Sequence, residues 1–376
     1  MPIIYEIFGK PVKIIDPSDL KARKLALCPF TESLCDGGGN RHQTKITLAK
    51  KPPLREFFDD SLDKVIPGVC SLCYGAEESN NNNLEAWVVC PRRLLGFKNE
   101  SNNIPDTNVA LKKHEREIML SAGIPPNIDI GVWAEIYLRY GNNETNSQVD
   151  YHFDFVAAPI IKNVDETEFT KLFDLTEAQF KEIVSLARKS KLCSGKTGQN
   201  LNFSIVPDLT HPYIFEVMTA STSGSNTEKG TDIASAFTAA ILGKEAKSPG
   251  INKRQVWGRM ATQLFSKSAL AEFWGGKTFW IVQDQLLQNI EKTTMLSLKQ
   301  IEPTATGNIN FISMTYSRSQ EQKSEIVFKN SYENRAGISF SGNNATVDIL
   351  LPKVFPDKTE LLKAILRRKL SAVIRL

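Results

Sequence analysis

"HPYIFEVMTAST", residues 211–222, is the stretch on which the reading of this chain turns. Tyr213, Ile214, Phe215, Val217 and Met218 form a short apolar run that predicts a buried strand, and Glu216 stands in the middle of it. A buried carboxylate is costly unless it takes up a proton, pairs with a cation or binds a metal. "DYHFDF" (150–155) repeats the anomaly, with Asp154 interrupting an apolar strand two residues after His152. Two neighbouring strands that each present one isolated acid describe a cation site. Magnesium held between two carboxylates can orient a water and stabilise the charge of a phosphodiester transition state. The alternative is two ordinary acids, each neutralised by a lysine or arginine at the core edge. His152 reads as a hydrogen-bonded neighbour of Asp154 rather than a base.

Around these strands the pattern predicts an α/β (α+β) chain. "VALKKHEREIMLSAG" (109–123) reads as a helix stopped by Gly123, and residues 131–141 and 149–161 as strands. "LTEAQFKEIVSLARKSK" (175–191) opens with a capping box, Thr176 and Gln179, and places Phe180, Ile183, Val184 and Ala187 on one face. Helices follow at 230–244 and 253–274, with a strand at 277–284. Further strands are "NINFISMTYS" (308–317), "SEIVFKN" (324–330) and a hairpin at 337–351. The end, "DKTELLKAILRRKLSAVIRL" (357–376), reads as an amphipathic helix with Lys363, Arg367, Arg368, Lys369 and Arg375 in its last turns. In the 253–274 helix, Gln255, Arg259, Gln263 and Lys267 recur every four residues, opposite Trp257, Met260, Ala261, Leu264 and Phe265. That stripe either points Gln263 or Lys267 at the two acids or is a plain solvated face.

The 376 residues, 41% hydrophobic and 23% charged, suffice for a sizeable core in two or three domains. A formal charge of +4 permits a nucleic-acid partner without demanding one. Neither a leader pattern nor a run of about 18 apolar residues occurs, so no membrane partner and a cytoplasmic location are expected. Cys28, Cys35, Cys70, Cys73 and Cys90 crowd into the first 90 residues, with Cys193 apart. Where thiols stay reduced, such clustering points to metal binding rather than disulfides. Cys70 and Cys73 have a gap that suits one ion, while Cys28 and Cys90 each precede a proline. Four thiolates fit a closed, structural site for zinc or a mononuclear iron, with five candidates for four places. Buried free cysteines acting as small hydrophobes are the alternative. The expected domains are a loop-rich metal-stapled module at 1–105, a core at 106–295 with an insertion at 161–210, and C-terminal strands with a basic helix at 296–376. There is no internal repeat.

In order along the chain, "EIFGKPV" (6–12), "CPF" (28–30), "GVC" (68–70), "WVVCP" (87–91), "FDF" (153–155), "FEVMT" (215–219), "GS" (224–225) and "VWGRMATQLFSK" (256–267) resemble the NotI-type restriction endonucleases. Members of that family join an N-terminal four-cysteine iron site to a nuclease core of the PD-(D/E)XK kind. The similarity spans residue 6 to about residue 285 and extends to the helix near 357–369. It implies a bacterial type II enzyme that cuts double-stranded DNA at a specific sequence with magnesium, acting as a homodimer on a palindrome beside a cognate DNA methyltransferase. It implies Cys28, Cys35, Cys70 and Cys90 as iron or zinc ligands, although spacing alone favours Cys73 over Cys35. Asp154 and Glu216 become the magnesium ligands. Arg41 in "NRH" (40–42), Arg92 and Arg93 become candidates for contacts to guanine edges or phosphates.

The chain departs from the family in two places. A glutamine two residues after the glutamate is replaced by Met218, whose thioether cannot donate a hydrogen bond. The helix at 175–191 is additional. Lys267, or else Gln263, is expected to supply the missing polar group. The alternative is a catalytically inactive DNA-binding or regulatory protein of the same fold.

Overall fold

The computed structural model describes residues 1–13, 16–38, 45–74, 85–97, 109–142, 147–223, 232–244, 247–252, 254–294, 298–301, 309–316, 325–334 and 355–376. Arg41 and the hairpin expected at 337–351 lie outside them. The run around Glu216 forms the strand Tyr213–Met218 inside a ten-stranded mixed sheet flanked by helices. One edge pairs antiparallel with Ser147–Asp165 and the other parallel with Lys277–Gln283. Parallel pairing continues to Ile309–Tyr316, then antiparallel to Ile326–Asn334 and Leu298–Ile301. Parallel strands are covered on both faces and so need near-continuous apolar runs, which "TFWIV" (278–282) and "INFISM" (309–314) supply. They also need crossovers. Helices Arg254–Phe273 and Asp284–Thr293 provide them, the second unexpected from sequence but burying Leu286, Leu287 and Ile290.

Ser147–Asp165, 19 residues long, pairs with Ile130–Asn142 along most of its length. The residues read as an insertion build onto its far end. Helix Glu177–Lys189 carries the Thr176–Gln179 capping box and buries Phe180, Ile183, Val184 and Ala187, as the spacing requires. Strand Asn202–Pro207 then returns antiparallel against Ile160–Asp165, with Phe203 stacked 4.0 Å from Phe169. The insertion therefore prolongs and anchors the strand that carries Asp154.

"EIFGKPV" makes a tight hairpin in which Ile7 pairs with Lys10. The two residues between, Phe8 (φ 49°) and Gly9 (φ 72°), are both left-handed, as a two-residue type I′ turn demands. Strands Ile3–Ile7, Val69–Tyr74 and Glu85–Val88 then form one antiparallel sheet, more regular than a loop-rich module. Its side chains share a core with the large sheet, Ile7, Phe8, Leu72 and Trp87 packing in one cluster with Phe237, Trp280 and Phe311. Buried Gln283 pins the two sheets together. It accepts from the Val88 amide at 2.8 Å and donates to the Ala86 carbonyl at 2.6 Å.

The C-terminus corrects the sequence reading. The helix covers Lys358–Leu366 only, and Ala372–Ile374 is a strand paired with Ile130–Asn142. β-Branched Val373 and Ile374 favour extended backbone, and the open sheet edge satisfies their amides and carbonyls. No basic helical face results. Lys363 is buried between Glu182 and Glu360, Arg367 lies at Glu182, and Arg375 pairs with Asp129. Ile374 is fully buried. Ile374→Ala is expected to lose about 2–4 kcal/mol in urea unfolding, and a loss under about 0.5 kcal/mol would contradict the paired strand.

Candidate functional site

Strand pairing brings the two isolated acids together. Phe155 lies opposite Phe215, so one residue further in register Asp154 stands across from Glu216, where the ladder between these strands ends. There the Asp154 carboxylate takes over from the ladder, its Oδ2 accepting from the Val217 amide at 2.8 Å. Both acids line a cleft of about 610 Å³ that also includes His152, Met218, Gln263 and Lys267. Met218 is buried in its wall.

On the helix Arg254–Phe273 the two described residues of the expected polar stripe part company. Gln263 is exposed on the cleft rim, whereas Lys267 is 5% exposed and sets its Nζ 2.6 Å from Glu216 Oε2. The same ammonium lies 5.6 Å from the centre of the Phe153 ring, a cation–π contact that helps it tolerate burial. Burial pushes the Glu216 carboxyl up to about 8 and the Asp154 charge adds to the rise, while the Lys267 ammonium pulls it back. Glu216 Oε1 is buried with no hydrogen-bond partner. An orphaned carboxylate oxygen beside a second carboxylate is a donor set suited to a hard divalent cation. Asp154 and Glu216 are the side chains able to hold one.

A third acid was not legible in the sequence. Ile136 lies opposite Phe153 and Ala134 opposite Phe155, so Glu135 falls across from Asp154 on the other side. Three carboxylates, Glu135, Asp154 and Glu216, thus cross three adjacent strands at one level. Glu135 adopts φ 55°, a left-handed conformation that costs a non-glycine residue about 1–3 kcal/mol and persists only where its surroundings impose it. Its Oε2 lies 2.8 Å from His152 Nε2, so the partner of the histidine is Glu135 rather than Asp154. In "GVWAEIYLRYG" (131–141) Glu135 alternates with the apolar Ile136 and Leu138 as an ordinary polar position of a half-buried strand.

The cysteines separate into two groups. Cys28, Cys35, Cys70 and Cys90 gather in one buried cluster around Phe30. Cys73 lies apart, its sulfur directed at the Tyr74 carbonyl. Cys70 and Cys90 hydrogen bond to each other, which raises the first thiol and lowers the second, while burial pushes Cys28 and Cys35 up. Backbone amides point at two sulfurs, Gly9 at Cys70 (3.2 Å) and Gly37 at Cys35 (3.4 Å). Such donors stabilise thiolate and accompany sulfur-ligated metals. Gly38, at φ 51°, lies so close to the Cys90 sulfur that a Cβ there would fall 2.4 Å from it. Among the described residues, no trio of His, Cys, Asp or Glu meets the geometry of an assembled metal site. The donor chemistry nevertheless fits one soft or borderline cation, with Cys35 rather than Cys73 in the fourth place.

Of the candidate DNA-contact arginines, Arg93 is corrected. It is 5% exposed and turned inward, forked onto Glu6 at 3.1–3.2 Å and packed over Phe30 and Tyr316. Glu6 also accepts from Ser71 and Tyr316, which makes the group a buried junction between the N-terminal sheet and strand Ile309–Tyr316. The charge-assisted fork on Glu6 and the two flanking rings leave Arg93 no freedom to reach a base or phosphate. Arg92 is mostly covered as well, held by Asp36 and Glu135.

No family profile, curated protein or solved structure matches the chain. The functional reading therefore rests on the chemistry of the cleft and the thiol cluster.

Two outcomes test these assignments. Lys267→Met strands Glu216 without its cation and is expected to cost about 3–5 kcal/mol near pH 9 in chelator. Glu216 titrates at 4.5 when unfolded and about 8 when folded, so the stability tied to its protonated form is complete below 4.5 and lost as pH rises through 8. The Lys267→Met penalty in urea melts should therefore shrink toward about pH 6, and a pH-independent penalty would contradict the pairing. Serine at Cys28, Cys35, Cys70 or Cys90 should abolish bound transition metal by elemental analysis, whereas Cys73→Ser retains it. Loss on Cys73→Ser with retention on Cys35→Ser would reverse the assignment.

Proposed function

We propose that the protein is a magnesium-dependent, sequence-specific endonuclease of double-stranded DNA, of the type II restriction kind, built on a PD-(D/E)XK core. The observation that carries this reading is the facing of Asp154 and Glu216 across adjacent strands at the floor of a cleft, with a buried ammonium on Glu216. Two strand carboxylates and one lysine form the minimal set for metal-assisted phosphodiester hydrolysis. A cation bound there would supply charge stabilisation and lower the pKa of a bound water, so that on loss of a proton to solvent the hydroxide can displace the 3′ oxygen from phosphorus. Asp154 and Glu216 would hold that cation. The Val217 amide fixes the Asp154 carboxylate. Lys267 occupies the role left open at Met218, presenting its ammonium to the phosphoryl oxygens as charge develops. Gln263, on the rim of the same cleft, is the alternative candidate for that role.

In the same reading Cys28, Cys35, Cys70 and Cys90 hold a structural iron or zinc, and Arg41 remains a candidate DNA contact. A two-fold homodimer accounts for cleavage of both strands of a palindrome. A cognate methyltransferase would protect the host sequence. Met218 favours one rival, a protein that binds DNA without cutting it.

Digestion of unmethylated phage DNA separates the two. Magnesium should yield discrete fragments, Glu216→Ala none, and Lys267→Ala a rate lower by about 10²–10³ with DNA affinity within about threefold. Sequence-specific binding without cleavage in magnesium or manganese would establish the rival.

A further inference from the structure

The thiol cluster and the catalytic cleft are joined through one side chain. Arg92 follows Cys90 by two residues, and its guanidinium lies 3.2 Å from Asp36, the residue after Cys35. The same Nη2 lies 3.5 Å from Glu135 Oε1, whose other oxygen lies 2.8 Å from His152. His152 lines the cleft two residues before Asp154, and Glu135 stands across the strand pair from Asp154. Both constraints on Arg92 thus originate in the cluster, one covalent through Cys90 and one electrostatic through the Asp36 that Cys35 carries. Val89 and Pro91, which flank Cys90, form part of the cleft wall, and Ala220 donates to the Val88 carbonyl at 3.0 Å.

Arg92 is 18% exposed, which suits a buried strut better than a contact to DNA. One nitrogen, Nη2, serves both carboxylates, hydrogen bonding Asp36 and reaching Glu135 at ion-pair distance, and the planar guanidinium holds that nitrogen in a fixed orientation that a flexible lysine ammonium lacks. Glu135, whose backbone is left-handed, has Arg92 at one carboxylate oxygen and His152 at the other. Releasing Arg92 removes one of those two contacts.

We propose that Arg92 is a positioning residue that conveys the metal-loaded state of the four-thiol cluster to the catalytic cleft, by holding Glu135 and through it His152 beside Asp154. The Cys28, Cys35, Cys70 and Cys90 set orders the loop segments 35–38 and 90–92 when it is loaded, and Arg92 passes that order across the domain junction. Loss of the thiol-bound metal then impairs the cleft itself, beyond any effect on DNA contacts made by the N-terminal module.

The kinetic arm of the test rests on the nuclease reading, and a second arm does not. Full-length Arg92→Ala should keep about one thiol-bound metal per chain and its sulfur-to-metal absorbance. Its kcat should fall about 10–100-fold with KM for DNA within about twofold, the usual size of an outer-shell loss. Arg92→Lys should restore only part of kcat, and it serves as the folded control should the alanine variant fold poorly. Independently of cleavage, Arg92→Ala should shift the His152 imidazole signals in the ¹H–¹⁵N spectrum and speed hydrogen exchange at residues 133–137. Chelating the thiol metal from the wild-type protein should produce the same two changes, and chelating it from Arg92→Ala should add little to them, since both act on one link.

Weaker DNA binding with unchanged kcat would make Arg92 a DNA contact and overturn the proposal. Unmoved His152 signals would overturn it too, as would fully additive effects of chelation and substitution. If wild-type protein cuts no DNA in magnesium or manganese, the nuclease reading fails alone, and the His152 and exchange results still decide for or against the link.

Discussion

The ion pair between Lys267 and Glu216 is the constraint that organises this molecule. An ammonium and a carboxylate, both removed from water, must find each other across two elements. That demand fixes how the helix Arg254–Phe273 lies over the strand Tyr213–Met218. Exchange of such a pair for apolar residues of similar volume is often neutral or stabilising, so stability alone does not account for its presence. The pair leaves Glu216 Oε1 without a partner and faces it with Asp154, an arrangement that disfavours the charged form of Glu216 at the floor of a cleft. A bound cation would relieve it. The fold's other investments converge on the same spot. The 161–210 segment anchors the far end of the Asp154 strand, and Gln283 and the Glu6–Arg93–Tyr316 junction lock the N-terminal sheet beside the Glu216 strand.

The N-terminal sheet and the large sheet share one hydrophobic cluster, so the thiol-rich module is continuous with the half that carries Asp154 and Glu216 rather than tethered to it. Cys90 sits at this seam. Its neighbours Val89 and Pro91 wall the cleft, while Arg92 and Arg93 diverge, one toward Glu135 and the other into the Glu6 junction. Two adjacent arginines that sequence reading treats alike have unrelated duties, because a single residue step along the short 3₁₀ turn Pro91–Arg93 rotates a side chain by about a third of a turn.

The sequence made some of this legible for physical reasons. Glu216 and Asp154 stood out because an isolated acid in an apolar run is expensive, and expense marks position. The helix Glu177–Lys189 was readable because its cap and its apolar spacing agree. Glu135 was hidden, since an acid in an alternating strand is unremarkable until long-range register sets it across from Asp154. The strands Ile3–Ile7 and Val69–Tyr74 were hidden because their partners lie more than 60 residues apart. The strand Ala372–Ile374 was hidden because local helical spacing lost to an open sheet edge that only the folded chain provides. Arg93 was misjudged because arginine composition does not report burial.

The central claim is that Asp154 and Glu216 share a divalent cation. Anomalous diffraction from crystals of the protein grown with manganese addresses it directly. The account predicts a manganese peak between the two carboxylates, within about 2.0–2.4 Å of an oxygen from each. Lys267 should then stand away from Glu216, toward the open cleft. Full manganese occupancy elsewhere, with the Lys267 ammonium still seated on Glu216 and no peak between the acids, would contradict it.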